Sequence, residues 1–194
     1  MTMTRRLGIG ALALGMAAPF VGNPYRTPRG KLDLDAVARA INDGSDHVGA
    51  RQLATWIRDR RPGLRVIDVR PPAAFADDAI PTAENIPVAR LAHMTVAPDD
   101  HLILYSDEGA HAGQAWVMLR ALGIDNAAFI PGGLADWRDE VIHPLLADDM
   151  PAAARAEAIA LSRYFGGAPR QSGPGEAAAT GTARPSQSLR RRGC

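Results

Sequence analysis

Residues 101–113 read His-Leu-Ile-Leu-Tyr-Ser-Asp-Glu-Gly-Ala-His-Ala-Gly, and their pattern decides the fold. A short apolar run, Leu102–Tyr105, stops at a small polar loop, and a helical pattern follows from about His111 through Leu122. A strand that runs through a tight loop into a helix N-terminus gathers backbone N–H groups at one point. Such a point suits an anion or an activated nucleophile. The candidate site is therefore the loop Ser106, Asp107, Glu108, Gly109, Ala110 and His111.

Outward from this stretch, helices and strands alternate. Upstream, Ala50–Arg60 reads as an amphipathic helix with Leu53, Trp56 and Ile57 on one face, and Arg61-Pro62-Gly63 as a turn. Leu64–Val69 is a strand of branched aliphatics, and Pro71-Pro72 stops it and starts a short helix over Ala73–Phe75. Ala83–Ile86 is a brief strand, and Val88–Met94 a short helix. Downstream, Ala115, Trp116, Leu119 and Leu122 form an apolar helical face with Gly123 at its C-terminal cap. Ala127–Ile130 is a last strand, Pro131-Gly132-Gly133 a sharp turn, and Leu134–Val141 a closing helix anchored by Trp137. The three tryptophans fall at core-facing positions. This alternation predicts an α/β fold with a mostly parallel sheet covered on both faces.

The order of these motifs resembles the rhodanese-like domain family. The matching pieces are Val66-Ile67-Asp68-Val69-Arg70, Phe75, Ile80-Pro81, Ala83, Asn85-Ile86-Pro87, Leu102–Tyr105, Leu119, Leu122-Gly123, and Gly132-Gly133-Leu134 with Trp137. The resemblance implies a three-layer α/β fold with a small, mostly parallel sheet of about five strands and helices on both faces. It also implies where chemistry would sit. Active members place a cysteine directly after the residue equivalent to Tyr105. Its thiolate, held in a ring of loop N–H groups, accepts a sulfane sulfur as a persulfide and passes it on. Oriented N–H dipoles lower a thiol pKa from about 8.5 into the physiological range.

In this sequence the aligned position is Ser106. A hydroxyl lacks that acidity and cannot form the persulfide. Asp107 and His111 stand where the family often has basic residues, and Glu108 adds a second carboxylate. Two acids over an N–H ring repel thiosulfate or phosphate. Ala79 stands where a histidine is common, and Thr82 where a glycine is common. The expectation is thus a catalytically inactive domain that serves as a binding or regulatory module. The alternatives are a sulfurtransferase-type enzyme with an unconventional loop and a structural or assembly protein.

Other chemistry is poorly supported by the pattern. Ser106 with His111 and either Asp107 or Asp68 lacks the G-x-S-x-G elbow, because Leu104 and Glu108 flank the serine. Asp107, Glu108 and His111 are too few donors for a metal site, and no Cys/His cluster exists, so no metal and no cofactor is expected. Asp68 and Arg70 read as a structural ion pair at a strand end. The single cysteine, Cys194, excludes an intramolecular disulfide. With 46% apolar and 22% charged residues and a net charge of +1, the 194-residue chain has no global field that would recruit nucleic acid.

The ends carry separate signals. Arg5-Arg6 precedes Leu7–Val21, fifteen uncharged residues, and residues 1–22 read as a signal peptide or membrane anchor. That pattern predicts a location in the periplasm or at the inner membrane of a bacterium rather than in the cytoplasm. Residues 23–46 read as a linker and an N-terminal helix around Leu34, Val37, Ala38 and Ile41, closed by Gly44. Residues 47–142 are expected to form the domain that resembles the rhodanese-like family, 143–165 a helical extension, and 166–194, rich in Gly, Pro, Ser and Ala, a disordered tail. The partner is expected to be a protein or small molecule at the 106–111 loop.

Overall fold

The computed structural model describes residues 32–171. The N-terminal export or anchor segment, most of the linker and residues 172–194 with Cys194 lie outside the described residues. Among the described residues, no helix is long and apolar enough to cross a membrane.

In chain order the elements are α1 (Leu34–Asp43), α2 (Ala50–Arg58), β1 (Leu64–Asp68), α3 (Pro72–Asp77), β2 (Glu84–Asn85), a 3-10 helix (Val88–His93), β3 (His101–Tyr105), α4 (Ala110–Ala121), β4 (Ala127–Phe129), α5 (Gly133–Asp136) running into a π-helical turn (Trp137–Ile142), β5 (Leu145–Leu146), α6 (Ala152–Tyr164) and β6 (Arg170–Gln171). The main sheet is parallel, in the order β2-β1-β3-β4. The fifth position is rudimentary. His47 makes a single parallel bridge to Phe129, with Val48 N–H donating to the Phe129 carbonyl and Phe129 N–H to that of Asp46. The chain turns into α2 at Ala50, which leaves no length for a full edge strand.

Strand periodicity sorts the core into two layers. Val66, Ile103, Tyr105 and Ala128 point to one face and pack with Leu53 and Ile57 of α2, Leu134, Trp137, and Leu161 of α6. Ile67, Leu102, Leu104 and Ala127 point to the other face and pack with Leu91 and with Ala115, Trp116 and Leu119 of α4. β3 is central and is buried from Leu102 through Tyr105. Each fully buried Leu or Ile contributes about 1.5–3 kcal/mol relative to exposure.

Three expectations change. Trp116 and Trp137 are core residues, but Trp56 is only half-buried and carries the Arg61 guanidinium 4.1 Å from its ring centroid. The closing helix is α-helical for one turn and then widens at Trp137. The tail does not start at Gly166, because Arg170–Gln171 pairs in parallel with Leu145–Leu146. Ser162 Oγ also donates to the Ile142 carbonyl at 2.8 Å. The extension is therefore built into the domain, with Leu161 buried in its core and Phe165 packed edge-on against Trp137.

Among the described residues, two turns carry residues other than glycine in the left-handed region, Arg60 (φ 51) and Thr82 (φ 69). A Cβ is crowded in that conformation. Position 82 is one where the resemblance implies glycine.

Candidate functional site

The site grows from the C-terminal ends of β1 and β3. Their register places Asp68 beside Tyr105. Asp68 is fully buried and accepts from Arg70 three times over: from the backbone N–H at 2.9 Å, from Nε at 3.0 Å and from Nη2 at 2.7 Å. The pairing expected from sequence is therefore present, as a buried fork. It holds the Arg70 guanidinium protonated, well above the ordinary arginine range, against the opposing effect of burial. Tyr105 completes the cluster. Its hydroxyl accepts from Ile80 N–H at 3.1 Å, and the buried Asp68 carboxylate is close enough to act on its ionisation. Burial first, then Asp68, pushes its ionisation far above the usual tyrosine range. Asn85 ties the two loops together by donating to the Asp68 and Arg70 carbonyls.

The loop sits on this platform. Ser106 is buried (2% exposed), and its Oγ accepts from Ala112 N–H at 3.4 Å. The hydroxyl thus serves one donor of the α4 N-terminus, as expected of a helix-proximal serine. Among the described residues, no hydrogen bond takes up the N–H groups of Asp107, Glu108, Gly109, Ala110 or His111. These donors are left without an acceptor among the described residues, at the junction of β3 and α4.

Two glycines shape it. Gly109 caps α4 at φ 81, and a Cβ there would lie 1.6 Å from the Pro131 carbonyl oxygen. Gly133 sits at φ 59 against the underside of the loop, and a Cβ there would lie 2.1 Å from the Ser106 carbonyl oxygen and 2.9 Å from Gly109 N. Leu134 and Ala135 donate to the Ser106 and Asp107 carbonyls at 2.8 and 3.1 Å. The Gly132-Gly133 turn is thus the close approach that its sequence suggests. Asp136 accepts from Gly132 N–H at 3.0 Å and holds the turn.

The rim is acidic but not uniformly so. Asp107 bends towards the platform and meets Arg70 Nη1 at 3.0 Å while staying largely solvent-exposed. Glu108, Ala110 and His111 are exposed. Asp78 near the rim is paired with Arg138 at 2.6 Å. Among the described residues, no group of three or more His, Cys, Asp or Glu could hold a metal ion. The structure therefore brings all six loop residues together. The sequence reading missed the Arg70–Asp107 contact and the Tyr105 hydroxyl network, because neither leaves a local pattern: the first joins residues 37 positions apart.

Residues 50–140 match the family model described as Rhodanese-like domain. The chain is 38% identical over 113 residues to 3-mercaptopyruvate sulfurtransferase of Escherichia coli (strain K12), covering 54% of this chain and 38% of that protein. It is 29% identical over 75 residues to an uncharacterized protein of Synechocystis sp., covering 38% of this chain and 42% of that one. The chain thus spans well under half the length of these curated relatives. Among solved structures, a human single domain sulfurtransferase aligns with 27% identity and a TM-score of 0.43, over 47% of this chain and 94% of that one. The α/β fold described above is the rhodanese-like fold.

Proposed function

We propose, on the premise that residues 50–140 are a rhodanese-like domain with sulfurtransferase homologues, that this domain is catalytically silent and works as a binding module. The observation that carries the proposal is Ser106 itself. An oxygen stands at the end of β3, buried and already bonded to the α4 N-terminus, at the position where the resemblance places the persulfide-forming thiol. A serine hydroxyl has no accessible thiolate-like state near neutral pH and forms no bond to sulfane sulfur. The ligand is a protein segment or small molecule that docks on residues 106–111. The open N–H groups supply donors to it, and Glu108 and Asp107 favour a partner with cationic character at the rim.

The test is restoration of the thiol. Ser106→Cys, made in a chain that also carries Cys194→Ser, should gain one sulfur atom after thiosulfate treatment, read by intact mass. The Cys194→Ser chain with Ser106 in place should gain none. A sulfur adduct on the serine-bearing chain would refute the silent reading.

The relative from Escherichia coli favours a second reading, a sulfurtransferase that acts on 3-mercaptopyruvate or a similar donor through an unconventional group. That reading requires turnover that disappears in Ser106→Ala. For cellular location we retain the cell envelope, on the strength of Arg5-Arg6 followed by Leu7–Val21. Fractionation of the producing bacterium, with the N-terminal mass of the mature protein, tests it. Recovery in the cytosol with residues 1–22 intact would overturn it.

A further inference from the structure

We infer that the end of the sheet opposite the loop carries a second ligand site, for a small organic anion with a planar apolar body. A depression of about 220 Å³ opens at the N-terminal ends of β3 and β4, lined by Ser45, Trp56, Arg61, His101, Asn126 and Ala128 among others. Ser106 lies at the other end of β3, so this is not the cradle seen from behind.

Three features of this depression frame a ligand site around Arg61. The first is the pairing of charges. Arg58 meets Asp59, Arg65 meets Glu84 and Asp100, and Arg120 meets Asp125 on the rim of the depression. Arg61 meets no carboxylate among the described residues, although it is partly buried and lies against Trp56 at 4.1 Å. A guanidinium stacked on an indole is held flat and keeps its N–H fork for a planar anion.

The second feature is the C-terminal end of α2. Arg60 takes the left-handed position of the helix cap (φ 51) and donates to the Ile57 carbonyl at 3.1 Å, and this turn delivers Arg61 across Trp56. Arg61 N–H donates to the Trp56 carbonyl at 3.0 Å and fixes that placement. The third is the facing wall. His101 N–H donates to the Gly63 carbonyl at 2.8 Å, which sets the exposed His101 imidazole beside the same turn. Asp125 lines the depression, Asp43 lies two residues before its Ser45, and the Asp99 backbone packs against Gly63 of the same turn. Asp125 is taken up by Arg120, and Asp43 accepts from Ser45 N–H. The apolar floor from Ala127 and Ala128 and the Trp56 edge suit a ring rather than a bare ion.

The probe is benzoate, with inorganic phosphate as the comparison, titrated into the full ¹⁵N-labelled chain while the Trp56 indole N–H is followed. Trp56→Phe assigns that resonance. Benzoate should shift the Trp56 signal saturably and leave those of Trp116 and Trp137 in place. Arg61→Gln should weaken the response at least about tenfold, as loss of a charge-assisted pair requires, with its other resonances unchanged. Phosphate should act more weakly than benzoate. No saturable shift at Trp56, an undiminished response in Arg61→Gln, or an equal response to phosphate would overturn the assignment. The site stands apart from Ser106, so its failure leaves the reading of the loop intact.

Discussion

Gly133 and Ser106 are in backbone contact: Leu134 N–H, the next donor along from Gly133, reaches the Ser106 carbonyl at 2.8 Å, and a Cβ on Gly133 would stand 2.1 Å from that same oxygen. The turn after β4 thus props the loop after β3, and the cradle geometry depends on a missing methyl group. Gly133→Ala meets both this overlap and the positive φ of 59. It should lower stability by about 2 kcal/mol or more, seen as a reduced midpoint in urea unfolding. Amide exchange should rise first in residues 106–112.

The Asp68–Arg70 fork should behave as a buried pair whose members depend on each other. Arg70→Met leaves a fully buried carboxylate without its partner, and should cost about 3–5 kcal/mol. The double variant Asp68→Asn with Arg70→Met should recover part of that loss in the same denaturant assay. Arg70→Met also frees Asp107, so the loop should become more mobile in the single and the double variant alike.

Thr82 holds φ 69, where a branched side chain is crowded. Glycine adopts this conformation freely but adds entropy to the unfolded chain. The balance predicts a gain of roughly 0.5–1 kcal/mol for Thr82→Gly, measured as a higher thermal midpoint.

Tyr105 should make the fold sensitive to alkali. Burial and Asp68 raise its ionisation in the folded state above the ordinary value. Its contribution is therefore fully present below about pH 10, the unfolded value, and is lost as pH rises towards the folded one. Stability of the wild type should fall across that window. Tyr105→Phe should start lower, having lost the bond from Ile80 N–H, and should show a shallower alkaline decline.

Much of the architecture was legible because it is written in local periodicity. The apolar runs Leu64–Val69 and Leu102–Tyr105 form strands as read, and the 3.6-residue pattern of α4 places Ala115, Trp116 and Leu119 inward. The loop was legible for the same reason, since it is contiguous in sequence. What the sequence hid is non-local. Nothing near Asp107 announces that Arg70 will hold it. Nothing in the polar stretch after Gly166 announces that Arg170 will donate to Pro144 and extend β5. The resemblance implies about five strands, and the fifth amounts to the single bridge at His47, which no local run of apolar residues marks. Trp56 was placed in the core because an indole covered by a guanidinium has the same spacing as a buried one.

The central claim is that Ser106 ends the sulfur-transfer chemistry of this fold, and steady-state turnover tests it most directly. The full chain carrying Cys194→Ser should release no thiocyanate from thiosulfate and cyanide above the uncatalysed rate, and Ser106→Ala should leave that rate unchanged. Turnover by the serine-bearing chain that disappears in Ser106→Ala would contradict the account.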